Sequence, residues 1–353
     1  MDGVLHLIDA ETSADALHQL AAVIGPDDVV ASLGPLIAPA WWDRPIRRLR
    51  KPLGSAALGG ILAKDLPANT ELLHAWSIPA AQAGEPIARK RGCPTVLSLP
   101  YFPPTNSLDR LGLLTSSGKV ALTAPTEACR RRLLEAGVGR SGVHVFPPVA
   151  ATIPRREELR TKMRKALGVV EAHRLIAAPG RFTRQAGHKY ACWVFSVLRQ
   201  ILDDVRLLLP GDGPAWSAVH TFAATLGYDR EIFMTVERLT IQEVLAAADL
   251  AVFPANGDCD LGPLVSAMAV GLPVAAWATA DVTELTGDGQ AAMLCPVGDV
   301  RSASAAVLRL LQDPSAAAAL SAAAADWAGR RFSAAAARDR LLEIYAAPFT
   351  GSA

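Results

Sequence analysis

The stretch that decides the fold opens with Leu175-Ile176-Ala177-Ala178 and continues through Pro179-Gly180-Arg181-Phe182-Thr183-Arg184-Gln185-Ala186-Gly187-His188. A short apolar run breaks at Pro-Gly, passes through a polar turn, and resumes after a second glycine in a helical pattern. That is a strand turning into a helix. The same order recurs where Arg206–Leu209 meets Pro210-Gly211-Asp212-Gly213-Pro214, and where Leu250–Phe253 meets Pro254. It returns in Leu261-Gly262-Pro263-Leu264-Val265-Ser266-Ala267-Met268-Ala269, then Gly271-Leu272-Pro273-Val274 and Glu284-Leu285. Strand ends that turn through glycine or proline into helices are where open parallel sheets bind ligands. The loop before 263–270 is expected to present unpaired backbone N–H groups at a helix start, a natural diphosphate site.

Working outward, strands are expected at Leu175–Ala178, Arg206–Leu209, Ile232–Val236, Leu250–Phe253, Val274–Trp277 and Met293–Cys295. The first half repeats the scheme with Val4–Ile8, Val29–Leu33, Leu72–His74, Thr95–Leu99, Val120–Thr123 and Val143–Phe146. Alternation with amphipathic helices predicts two tandem, doubly wound parallel sheets. Pro147-Pro148 stops a strand and forces extended chain, so the boundary is expected there. This gives domains at 1–150 and 151–332, with a closing helix and short tail over 333–353 expected to cross back to the first. The basic stretch Arg155–Lys165 reads as an exposed helix entering the second domain. The Ala-rich segment 316–337 reads as helix, with Trp327 and Phe332 as packing points.

The totals exclude several classes. Of 353 residues, 51% are hydrophobic and 20% charged, enough apolar material for two cores. A formal charge of +1 argues against a dedicated nucleic-acid binder. Cys93, Cys129, Cys192, Cys259 and Cys295 form no short-spaced pair, which speaks against a ribbon zinc site or a disulfide framework and for a reducing, cytosolic setting. No secretory leader is visible, and no apolar run approaches the ~20 residues that span a bilayer. Trp41, Trp42 and the basic run Arg44–Lys51 admit two readings, docking on anionic headgroups at the inner membrane face or a solvated loop with packed tryptophans.

The order of motifs from Leu175 to about Tyr345 resembles the donor domain of glycosyltransferase family 4, the large retaining family. A weaker likeness covers Ala124–Val149, with Pro125-Thr126-Glu127, Gly137-Val138 and Val145-Phe146-Pro147-Pro148. The resemblance implies an α/β fold of GT-B architecture, two Rossmann-like doubly wound parallel-sheet domains facing a central cleft. It further implies transfer of a sugar from a UDP-, GDP- or ADP-sugar to a glycan, lipid or small-molecule acceptor, with no metal and no cofactor beyond the donor. Basic groups would neutralise the leaving diphosphate. Arg181 matches the family's phosphate-binding arginine; Gly180, Gly211 and Gly213 lie on the matching turns, and Gly262, Pro263 and Leu264 match the donor loop. Glu284 falls on an acidic position, and the base is expected against the backbone around Val236–Arg238.

Departures from the family pattern cluster at functional positions. The family lysine after Arg181 falls on Ala186, with Arg184, His188 and Lys189 as substitutes. Paired glutamates fall on Asp258 and Ser266, with Asp260 an alternative for the first. A serine cannot accept two ribose hydroxyls as a carboxylate does. The cleft histidine falls on Pro100, and Asp9–Ala14 stands where a glycine-rich loop is usual. His74 reads either as an acceptor contact or as a hydrogen-bonded strand-end histidine beside Trp76. Asp258 and Asp260 read either as sugar contacts or as turn residues after Asn256-Gly257. Two functions therefore stand, a retaining transferase and a non-catalytic nucleotide-sugar or glycan-binding relative of one.

Overall fold

The computed structural model describes residues 4–9, 14–25, 28–33, 45–49, 70–139, 142–228, 230–235 and 239–347. They form two compact units, Met1–Pro147 with Ala334–Ala353, and Pro148–Ser333.

The sheet of the first unit is built from β1 (Val4–Asp9), β2 (Val29–Leu33), β3 (Ile46–Leu49), β4 (Leu72–Ala75), β5 (Thr95–Ser98), β6 (Val120–Ala124) and β7 (Val143–Val145). Its order is β3-β2-β1-β4-β5-β6-β7, with every pairing parallel. β1, β4, β5 and β6 are buried along their whole length, as strands covered by helices on both faces must be. The covering helices are α1 (Ala14–Val23), α2 (Ile78–Arg91), α3 (Thr105–Thr115), α4 (Glu127–Glu135) and α13 (Ala334–Ala346). Ser77 and Thr126 start α2 and α4 by accepting the N–H of Ala80 and Cys129. Leu5, Leu7, Leu73, Leu97, Leu122 and Leu133 make the core between them. The last helix packs on α1 and is pinned by Arg338 donating to the Ile24 carbonyl and Arg340 to that of Val145.

The second unit orders its strands β10-β9-β8-β11-β12-β13, again all parallel. They are β8 (Arg174–Ala177), β9 (Val205–Pro210), β10 (Ile232–Thr235), β11 (Leu250–Phe253), β12 (Val274–Trp277) and β13 (Met293–Cys295). In chain order the helices are α5 (Arg156–Ala166), α6 (His188–Arg199), α7 (Trp216–Thr225), α8 (Ile241–Ala247), α9 (Gly262–Ala269), α10 (Ala280–Leu285), α11 (Val300–Gln312) and α12 (Pro314–Arg331). Apolar residues fill both faces of the sheet, Leu175, Leu264, Val265 and Met268 on one and Ile176, Phe195, Leu207 and Trp277 on the other. In each sheet the winding direction reverses once, between β1 and β4 and between β8 and β11. That reversal opens a crevice at the carboxyl ends of the strands.

The strands expected from the apolar runs are all present, their ends shifted by one residue at most. β3 was not expected. Among the described residues it is an edge strand bonded to β2 alone, and its two central arginines, Arg47 and Arg48, leave no apolar run to read. Ordered strand over 46–49 also corrects the loop reading of that basic stretch, while Trp41, Trp42, Arg44, Arg50 and Lys51 lie outside the described residues. Among the described residues no helix is long and apolar enough to cross a membrane.

A second correction concerns α5. Its sequence reads as solvated, yet Arg164 is 3% exposed. Asp249 explains this: its carboxylate accepts from Arg160 at 2.6 Å, from Arg164 at 3.1 Å and from the Leu175 N–H at 2.7 Å. The two terminal nitrogens of Arg164 also donate to the carbonyls of Ala247, Val170 and His173. One carboxylate thus ties α5 to β8 and the start of β11. Removing it strands a buried guanidinium, so Asp249→Ala is expected to destabilise the second unit by about 3 kcal/mol, with Asp249→Asn costing less, as read by urea unfolding.

Candidate functional site

Three loops meet at the reversal of the second sheet: 178–187 after β8, 211–215 after β9 and 254–261 after β11. Phe182 N–H donates to the Asp212 carbonyl at 2.9 Å, and the Phe182 carbonyl accepts from Ala215 N–H at 2.9 Å. The Asn256 N–H donates to the Gln185 carbonyl at 2.9 Å. With its amide in the orientation that satisfies both ends, the Asn256 side chain donates to the carbonyls of Gln185 (3.0 Å) and Arg184 (3.3 Å). Two glycines allow this closeness. A Cβ on Gly187 (φ 78°) would lie 1.9 Å from the Pro254 carbonyl oxygen, and one on Gly213 (φ 149°) would lie 2.4 Å from that of Phe182. Gly180 and Gly211 lie on the same turns.

The basic residues of the first loop separate cleanly. Arg181 and Arg184 are exposed, and among the described residues neither guanidinium has a hydrogen-bond or ion-pair partner. Lys189 instead lies over the Phe222 ring, 5.8 Å from its centroid, on the α7 side of α6. His188 is 2% exposed and stacks on Phe182 with ring centroids 4.3 Å apart. Burial is the main cause that brings its pKa down to about 4; the carbonyls of Ala178 and Gly180 oppose it only in part. A neutral, covered imidazole cannot serve as a phosphate-binding cation. Of the three substitutes for the residue at Ala186, the structure therefore leaves Arg184.

The loop after β11 corrects another expectation. The Gly262 N–H at the start of α9 is already held by the Asp260 carboxylate at 2.9 Å, and Pro263 has no N–H to give. Of the amides expected to cradle a diphosphate at Gly262–Leu264, only that of Leu264 remains. Asp260 is thus a turn and capping residue, one of its two sequence readings. Asp258 stands half-buried two residues earlier. The Cys259 thiol is pushed up to about 12, first by burial and then by Asp260, Asp258 and Asp281, so it is inert near neutral pH. Glu284 sits half-buried on α10. Val236 and Arg238 lie outside the described residues.

Ser266, on α9, is 3% exposed, and its hydroxyl accepts the Ala151 N–H at 2.9 Å. The Ala150 N–H donates to the Phe332 carbonyl at 2.8 Å. The hydroxyl at this position thus anchors the entering chain rather than lining the crevice.

In the first unit, the structure corrects the catalytic expectation for His74. The residue is fully buried on β4, with Nδ1 2.6 Å from the Tyr345 hydroxyl and Nε2 2.8 Å from Ser98 Oγ. Its ring stacks on Trp76 at 4.4 Å. Burial, with His6 adding to it, holds its pKa well below the ordinary value, so it is a neutral structural group. Trp76 in turn donates to His6 Nδ1 at 3.2 Å, and His6 Nε2 lies 3.4 Å from Asp28. No local pattern marks Tyr345 or Ser98 as part of this network, because the former is 271 residues away from His74 and the latter is one serine among many.

Residues 173–313 match the family model described as "Glycosyl transferases group 1". The chain is 27% identical to the 2-deoxystreptamine glucosyltransferase of Streptomyces kanamyceticus over 274 residues, 72% of this chain and 70% of the relative. It is 23% identical over 154 residues to the N-acetyl-alpha-D-glucosaminyl L-malate synthase of Bacillus anthracis, 43% of this chain and 40% of that one. Among solved structures, Anabaena Alr3699/HepE in complex with UDP and glucose superposes with a TM-score of 0.81 at 17% identity, covering 98% of this chain and 99% of the other. The fold is that of GT-B glycosyltransferases.

Three measurements test this geometry. The depressed His188 pKa means that between about 4 and 6.5 the unfolded chain binds the extra proton. His188 thus stabilises the second unit above pH 6.5, and about 3 kcal/mol is lost as pH falls to 4. Replacement by Phe is expected to flatten that slope. Gly187→Ala is expected to part the two loops, read as loss of amide protection at Asn256. Ser266→Ala is expected to cost about 1 kcal/mol, seen as faster hydrogen exchange at the Ala151 amide.

Proposed function

We propose that the chain transfers a sugar from a nucleoside diphosphate sugar to an acceptor hydroxyl, with retention at the anomeric carbon, the donor lying at the crevice between β8 and β11. The observation that carries this reading is the pair of exposed, unpartnered guanidinium groups, Arg181 and Arg184, on a loop whose backbone is clamped at that crevice. Two planar forks three residues apart suit the spread negative charge of a departing diphosphate, and in this reading they supply the neutralisation that a metal would otherwise give. The Leu264 amide is a further donor to the same anion, and Asp258 is the carboxylate assigned to the sugar. The 2-deoxystreptamine glucosyltransferase and the structure of Alr3699/HepE with UDP and glucose support a nucleotide-sugar donor.

Ser266 favours a second reading. With its hydroxyl spent on Ala151 and Ala186 offering no charge, this site has fewer donor-holding groups than the motif it resembles, which suits a protein that binds a nucleotide sugar without turning it over.

Calorimetry with UDP, GDP and ADP tests the reading. One of them is expected to bind, with Arg181→Ala and Arg184→Ala each weakening affinity roughly tenfold or more and Lys189→Ala leaving it within about twofold. No binding by any of the three would overturn it. Binding without donor consumption would select the second function, and the anomeric coupling of a transferred sugar, read by proton NMR, decides retention.

A further inference from the structure

Between Tyr190 and Leu198, helix α6 is apolar almost all round. Ala191, Cys192, Val194, Phe195 and Leu198 are buried in the core of the second unit. Trp193 and Val197 lie on the opposite side, and Ile201 extends their row through the turn that closes the helix. These three residues are 51%, 36% and 58% exposed, at a spacing of four that keeps them on one face. A helix that is apolar on every side belongs under cover, and a contiguous apolar row on a surface marks a place of contact.

Helix α11 packs beside α6, and between them runs a groove of about 450 Å³. Trp193, Val197 and Ile201 line one side, Arg301, Ala305 and Leu308 the other. Both helices start from the carboxyl end of a parallel strand, so their amino ends lie together. Two exposed cations stand there, Lys189 on α6 and Arg301 on α11. Lys189 has no carboxylate partner among the described residues, and the nearby Asp299 is spent on the Ser302 N–H and hydroxyl. Past the other end of α6, Asp203 holds a fully exposed carboxylate whose partner is Arg199 at 3.2 Å. The row thus reads cation, Trp193, Val197, Ile201, anion.

We propose that this face joins two copies of the chain, α6 lying antiparallel on the α6 of its partner about a twofold axis at Val197. Such an order of side chains complements itself when reversed, which is what a twofold interface requires. Trp193 then meets the partner's Ile201, its indole covering the open end of the partner's groove. Lys189 comes to the end of the partner helix that carries the partner's Asp203, and the opposed helix dipoles add to the attraction. Opposite charges at the two ends suit a reversed copy and not a lipid surface, which presents one sign throughout. Pairing through this face does not depend on the transferase reading.

The test is sedimentation velocity on the full chain from roughly 1 to 100 μM, the range in which weak dimers form and dissociate. Wild-type protein is expected to show a concentration-dependent equilibrium of monomer and dimer. Val197→Arg, which sets two guanidinium groups face to face on the axis, is expected to give a monomer. Lys189→Asp and Asp203→Lys are each expected to weaken the dimer by about tenfold, and the two together to return it to within about threefold of wild type. All three positions are exposed, so the variants are expected to fold, which circular dichroism checks. Val197→Cys is expected to cross-link to its own copy through a short bismaleimide, where wild type does not. A wild-type monomer throughout, a dimer that Val197→Arg leaves intact, or a double exchange that restores nothing would overturn the proposal. So would a monomer that binds phosphatidylcholine–phosphatidylglycerol vesicles through Trp193, which would give this face to a lipid surface.

Discussion

Nothing larger than a hydrogen atom fits on the Cα of Gly187 facing the carbonyl oxygen of Pro254. The loop after β8 and the loop after β11 are pressed together at that point, across the crevice where the sheet reverses. The placement of the two arginines assigned to the donor site follows from this contact. It lets Asn256 reach the carbonyls of Arg184 and Gln185, which fixes the backbone that carries the two free guanidinium groups. It also starts α6 at His188, whose ring then fills the space against Phe182 from beneath. A methyl group at residue 187 would remove all three relations at once.

The functional residues sort by what each is already bonded to, and not by their type. His74, His188, Asp260 and Ser266 are all polar and all sit near the carboxyl ends of strands or in the helices that follow, where sequence patterns place ligand contacts. Each has its hydrogen-bonding capacity or its access taken up by the protein itself. Arg181 and Arg184 are exposed cations whose guanidinium groups find no partner among the described residues. In a structure without a bound molecule, unmet bonding capacity held by a rigid backbone is the better guide to where a ligand belongs.

The fold was legible because parallel strands buried on both faces leave continuous apolar runs, and because Pro-Gly and Gly-Pro turns mark their ends. Edge strand β3 escaped for the same reason, having one bonded neighbour and two arginines. Within the site, Arg181 and Arg184 stood out because a loop position and a charge are both local properties. The fates of Ser266, His74 and Arg164 were not local. Ser266 meets Ala151 across 115 positions, and Arg164 meets Asp249 across 85. Sequence periodicity carries no record of such pairings, so a buried arginine in α5 looks the same as a solvated one until the partner carboxylate is placed.

The bond between Tyr345 and His74 has a consequence for how the polypeptide is made. The first unit is not a continuous piece of chain: its sheet ends at Val145, while the helix that covers His74 begins at Ala334. The second unit, Pro148–Ser333, is uninterrupted. On the ribosome, where domains fold as their residues emerge, the second unit has all its strands and helices before the first has its last. The N-terminal sheet, made earliest, must wait with His74 lacking its hydroxyl partner until residue 345 has left the exit tunnel. The order of synthesis and the order of completion are therefore opposite in this protein.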